Sequence, residues 1–129
     1  MKRHLLIGAG FSRNWGGWLA SEAFEFLLGD PDVIANPELR DLLWKHQPAG
    51  GFEAALYELE RGATAGMVLL SLKLQSAIRR MFDTMNEVFK GAGLEFRQPS
   101  FGGDYPVRNF LVRFNTVFTL NQDLLLEYC

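Results

Sequence analysis

Gly8, Ala9 and Gly10 follow a short apolar run, Leu5 to Ile7, and lead into Phe11 and Ser12. Glycines one residue apart let a backbone pass close to another group, because no Cβ stands in the way. At a strand-to-helix turn, such a segment suits an anion such as a phosphate, which accepts hydrogen bonds from free N–H groups and sits well at the positive end of the next helix. Ser12 adds a hydroxyl that could reach a phosphate or a ribose, and it could equally cap the helix that follows. About a hundred residues later, Thr119-Leu120-Asn121-Gln122-Asp123 sets an amide and a carboxylate at the end of a β-branched, aromatic run. Directional hydrogen bonds from that pair suit a ribose or a carboxamide. The plainer role for Asp123 is to cap a helix starting at Leu124.

Elements that hold these residues are legible in the periodicity. A strand is expected at about residues 3 to 8, and a second at Thr116 to Leu120, where Val117 and Phe118 supply β-type composition. Between them the pattern is helical. Trp18 to Leu28 runs up to Gly29, and Asn36-Pro37-Glu38 introduces a helix to about His46. Phe52 to Arg61 lies between glycines. Met67, Leu70, Leu74, Ile78, Met81, Met85 and Val88 recur at steps of three and four, predicting a long amphipathic helix from about Thr64 to Lys90 with its methionines in the core. Gly91 to Tyr105 is turn-rich, and Val107 to Phe114 is short and helix-like. Asp30 and Asp32 fall in a Gly/Pro turn. Two strands with special residues at their carboxyl ends imply a parallel α/β sheet of few strands, Rossmann-like, with a large helical insertion between the two strands, because ligands in such sheets bind at the carboxyl edge.

Composition narrows the function classes. At 129 residues the chain is one domain's length, and with 48% hydrophobic and 22% charged residues it is globular. A formal charge of −2 without a basic run gives no footprint for nucleic acid. Cys129 is the only cysteine, so no intrachain disulfide and no all-cysteine zinc cage can form, and no metal is expected. The apolar opening is broken at Ser12-Arg13 and lacks a cleavage site, and the longest uncharged run, Gly62 to Leu72, is too short for a bilayer. Cytoplasm is the default expectation, without membrane contact. No repeat or linker divides the chain, so residues 1–129 read as a single unit.

Taken together, Gly8-Ala9-Gly10-Phe11-Ser12 and Thr119-Leu120-Asn121-Gln122-Asp123 resemble the sirtuin family, whose NAD site joins a G-A-G-x-S turn to a T-x-N-x-D strand end. The wording around them, from Gly10-Phe11-Ser12 to Gly16-Gly17-Trp18-Leu19 and from Leu120 to Glu127, is most similar to the sirtuin-like NAD-consuming domains of bacterial antiphage defence proteins. The resemblance implies that Gly8, Ala9, Gly10 and Ser12 cradle the NAD phosphates and that Asn121 and Asp123 face the nicotinamide ribose and carboxamide, with Phe11 and Thr119 also among the cofactor-binding residues. Asn121 and Asp123 are then the expected catalytic residues, and NAD the ligand or substrate.

The chain also departs from that pattern. Arg13 stands where a dinucleotide fingerprint has its third glycine, and Leu120 where sirtuin deacylases have a glutamine. The deacylases' proline, phenylalanine and arginine have no counterpart in Asn14 to Trp18. The implied chemistry is therefore NAD hydrolysis with release of nicotinamide rather than deacylation. The family's catalytic histidine lies downstream of the matched strand, and neither His4 nor His46 matches it. The expectation is an N-terminal part of an NAD hydrolase, incomplete at its C-terminus, whose apolar Leu124 to Cys129 is covered by further chain or by a second copy. Two alternatives stand beside it: a non-catalytic module for NAD or ADP-ribose, and an α-rich interaction domain. Trp15, Trp18 and Trp44 are read as core.

Overall fold

The computed structural model describes residues 1–96 and 103–129. It is mixed α/β, and it packs as two compact units, one formed by Met1–Leu19 with Thr84–Cys129 and the other by Ala20–Asp83.

The first unit is built on two parallel strands. β1 (His4–Ile7) pairs with β4 (Thr116–Thr119) in the register His4 to Thr116 through Ile7 to Thr119. Asn115 fastens the start of the ladder: its backbone N–H donates to the Arg3 carbonyl, and its side-chain Oδ1 accepts from the Arg3 N–H, both at 2.8 Å. A parallel pair needs a long crossover connection, and here almost the whole chain supplies it. The pair has one apolar face in contact with solvent, since Leu6 and Phe118, side by side in the register, are 63% and 55% exposed. After β1 the chain makes one turn of helix, α1 (Ala9–Ser12), and a 3-10 turn over Arg13–Trp15. A second, antiparallel ladder joins β2 (Glu95–Phe96) to β3 (Tyr105–Pro106), and α7 (Val107–Leu111) and α8 (Leu125–Tyr128) complete the elements. The core of this unit is Ile7, Trp15, Met85, Phe89, Val107 and Leu125.

The second unit is helical: α2 (Ala20–Leu28), α3 (Pro31–Ile34), α4 (Pro37–His46), α5 (Gly51–Glu60) and the first part of α6 (Ala65–Gly91). Leu27, Val33, Leu39, Leu43, Ala55, Leu59, Leu74 and Ala77 are buried, as amphipathic spacing requires.

Five expectations need correction. The glycine turn does not open the Trp18–Leu28 helix; it opens the single turn α1, because Gly16, in the left-handed region at φ 96°, ends the 3-10 turn and α2 starts only at Ala20. Asp30 does not sit in a bare turn. Its side chain accepts the Asp32 N–H at 2.9 Å and so caps α3, with Pro31 in the first turn. On α6 the buried seam ends on Phe89, while Val88 is 47% exposed, since the larger ring four residues after Met85 takes the core position. Met81 and Met85 are core; Trp15 is too, whereas Trp44 stays half exposed with its ring edge on Phe24. The helix expected over Val107 to Phe114 stops at Leu111. Part of the turn-rich excursion, residues 97–102, lies outside the described residues.

Arg80 on α6 grips Asp30 with two hydrogen bonds of 2.8 Å, Nε to Oδ2 and Nη2 to Oδ1, and reaches Asp32 at 2.6 Å. That guanidinium holds the Asp30 carboxyl below its ordinary value, against the opposing effect of burial. A depressed folded-state pKa adds stability that is present above the unfolded carboxylate value, about 3.9, and is lost as the pH falls through the folded value. The urea midpoint is therefore expected to hold level from pH 7 to about pH 5 and to fall below about pH 4. Asp30→Asn is expected to flatten that acid limb. A limb equally steep in the variant would show that other carboxylates carry it; Glu58, held low by Lys45 and then His46, is the next to test.

Candidate functional site

The parallel pairing of β1 and β4 brings their carboxyl ends together, and with them both sequence motifs. The Leu120 N–H donates to the Ile7 carbonyl at 3.0 Å, so the ladder continues to the first residue after β4. From there the Asn121 side chain crosses to the glycine turn, its Nδ2 donating to the Ser12 Oγ at 2.9 Å across 109 positions of sequence. Ser12 is 1% exposed. Its hydroxyl therefore faces Asn121, and it makes no side-chain cap to the turn that follows.

Each remaining residue has a definite place. Gly8 precedes α1 in extended backbone, φ −131° and ψ −172°, and its carbonyl accepts the Phe11 N–H at 2.9 Å. Ala9 and Gly10 are exposed on α1. Phe11 packs its ring on Trp15, centroids 5.1 Å apart, and so anchors the turn to the core. Thr119 accepts the Asn121 N–H on its Oγ1 at 3.0 Å, a local turn that starts the loop. Asp123 accepts the Leu125 N–H on its Oδ1 at 3.1 Å, which is the capping role its position allowed.

The glycines divide by what surrounds them. A Cβ on Gly17 would lie 2.6 Å from the Ser12 Cβ and 2.7 Å from the Ser12 carbonyl carbon, so packing demands glycine there. A Cβ on Gly16 would meet Val88 at 2.6 Å in a left-handed conformation, which also demands it. Gly8 and Gly10 differ: neither has a positive φ, and among the described residues a Cβ on either would meet nothing within 4 Å. Neither backbone conformation nor packing within the described residues requires glycine at these two positions. Open space above them is where another molecule could come close.

Sequence reasoning missed two parts of this region. One is Asn86, buried on α6, whose Oδ1 accepts the Leu124 N–H at 3.0 Å and so holds the far end of the loop. Its only signal was a polar residue between Met85 and Phe89 on the apolar seam. The other is a cavity of about 600 Å³ beside Asn14, Trp15 and Gly16, walled also by Val88, Glu95 and Phe96. None of the residues expected to hold a ligand lines it. Trp15 closes it inward, with its indole N–H on the Glu95 carbonyl at 3.2 Å.

Of the histidines, His4 is exposed at the amino end of β1, away from the carboxyl edge, and His46 lies on α4 with its Nε2 2.6 Å from the Glu58 carboxylate. Among the described residues no group of three or more His, Cys, Asp or Glu side chains could hold a metal ion. No helix among them is long and apolar enough to cross a membrane. Set against family models, curated proteins and solved structures, the chain matches none of them.

Proposed function

We propose that the chain binds NAD at the joined carboxyl ends of β1 and β4, on a partial Rossmann-like frame of sirtuin type, and that it forms the N-terminal part of an NAD hydrolase that releases nicotinamide. The observation that carries this reading is the Ser12–Asn121 hydrogen bond, which ties the two motifs into one constellation next to two glycines, Gly8 and Gly10, that nothing among the described residues requires to be glycine. With Nδ2 on Ser12, Asn121 keeps its Oδ1 as an acceptor, suited to a ribose hydroxyl or an attacking water. Asp123 supplies a carboxylate two residues on, with one oxygen occupied by the Leu125 N–H and the other suited to the carboxamide. The anion contact rests on the backbone of the glycine turn, since α1 is only one turn long.

In this chemistry the bond from the ribose to nicotinamide breaks, an oxocarbenium-like ribose forms, and water adds to it. What the protein contributes is position and preorganised hydrogen bonds. A general base for the water comes from outside this chain or from a second copy, as His4 and His46 both stand elsewhere. In the bacterial antiphage setting that the resemblance suggests, the outcome is depletion of NAD.

The position of the histidines favours one second reading, a module that binds NAD or ADP-ribose without turning it over. Titration calorimetry with NAD and with ADP-ribose, run beside an assay for released nicotinamide, separates the two. The expected result for the 129-residue chain is NAD binding, with a thermal midpoint that climbs as NAD is added. Binding with nicotinamide release supports the hydrolase, and binding without release supports the module. Absence of binding to either nucleotide overturns both.

A further inference from the structure

Asn86 is buried on α6 between the apolar core residues Met85 and Phe89. A buried side-chain amide costs free energy unless it is paired, and an apolar residue would fill the same place without that cost. Asn86 is paired, and its partner is specific: the Leu124 N–H, at the N-terminal end of α8, where the helix leaves backbone donors without internal acceptors. The segment between is fixed at both ends. Thr119 Oγ1 holds the Asn121 N–H, Asn86 Oδ1 holds the Leu124 N–H, and Asp123 Oδ1 holds the Leu125 N–H. Asn121 and Asp123, the two residues with chemistry to offer, lie inside that bracket.

We infer that Asn86 is a positioning residue for this site: by anchoring Leu124 it sets where Asn121 and Asp123 stand relative to the glycine turn. Its effect on a ligand rests on the NAD reading above; its effect on the loop does not. Backbone groups held from a helix are located more precisely than groups on a free loop, and a small misplacement of a contact group is enough to lower affinity and rate.

Three proteins test this: the parent chain, Asn86→Ala and Asn86→Asp. The aspartate keeps an acceptor oxygen for the Leu124 N–H, and the alanine removes it. Hydrogen exchange followed by NMR is expected to quicken about tenfold or more at the Leu124 amide in Asn86→Ala, with the Asn121 side-chain NH₂ resonances shifted, and to return toward the parent in Asn86→Asp. Amides of Ala20–Asp83 are expected to keep their protection, which distinguishes a local release from general unfolding. NAD affinity is expected to fall about tenfold in the alanine variant and to recover in the aspartate. Unchanged exchange at Leu124 with unchanged Asn121 resonances overturns the inference, and so does parent-like NAD affinity in Asn86→Ala. A parent chain that binds no NAD removes the NAD reading, and the exchange result alone then decides the role of Asn86. Should Asn86→Ala not fold, a folded Asn86→Asp with a fast-exchanging Leu124 amide overturns it as well.

Discussion

Gly10→Ala is expected to leave the protein as stable as the parent, or more stable by up to about 1 kcal/mol, while NAD binding falls tenfold or more. Alanine is the better helix former by roughly that amount, and it narrows the unfolded ensemble. Gly10 lies inside α1 without a positive φ, and the added methyl would meet nothing within 4 Å among the described residues. Only a molecule resting on the turn would feel it. Gly17→Ala is the counterpart: its methyl would press on the Ser12 backbone at 2.7 and 2.8 Å, and backbone cannot step aside. Overpacking of this kind costs about 1–3 kcal/mol, several degrees in melting temperature for a domain of this size. It would also disturb Ser12, the partner of Asn121. If the turn is a ligand platform, NAD titrations show weakened binding in both variants, while thermal melts separate them: only Gly17→Ala loses stability. A Gly10→Ala protein that binds NAD as the parent does would remove the glycine turn from the site.

In an assembly that supplies the general base and releases nicotinamide, Asn121→Ala is expected to lower that release by about a hundredfold or more, the usual cost of losing one preorganised hydrogen-bonding group that acts in the transition state. Its stability cost is smaller, about 1 kcal/mol, because the buried Ser12 hydroxyl loses its partner. Asn121→Asp separates the two roles. A carboxylate oxygen can accept from the Ser12 hydroxyl, which rotates from acceptor to donor, so the link between the motifs persists with reversed polarity. Activity in the order parent, aspartate, alanine is the expected result in the nicotinamide assay. Equal loss in both variants would mean that the amide Nδ2 itself, rather than the tether, is what the reaction needs.

The elements that frame this site could be read from periodicity, and the side-chain directions within it could not. β1 and β4 followed from short β-type runs ending in glycine and in polar residues, and α6 followed from a strict three-and-four spacing. Their parallel pairing followed from where the unusual residues sat, at both carboxyl ends. The inward turn of Ser12 was not legible, because a hydroxyl in a turn suits a cap, a phosphate or a neighbouring amide equally well by composition. Asn86 escaped notice for a related reason: one polar residue on a helical seam looks like drift of the pattern until its partner 38 positions away is known. The capped α3 was hidden by its length, since four residues give no period to detect. The partition into two compact units left no mark in composition, because one boundary falls at Asp83 and Thr84, inside the unbroken periodicity of α6.

The pairing of β1 with β4 has a kinetic side. Arg3 and Asn115, which close the start of the ladder, are 112 residues apart, while the helices of Ala20–Asp83 find their partners among near neighbours in sequence. Loop-closure entropy must be overcome before distant contacts return anything, so local helices form early and distant strands meet late. The glycine turn and the Asn121 loop come into register only at that last step. A chain with all its helices formed would pass for folded by circular dichroism and still lack the contact between the two motifs, which makes a probe of the Ser12–Asn121 hydrogen bond the stricter criterion of the native state.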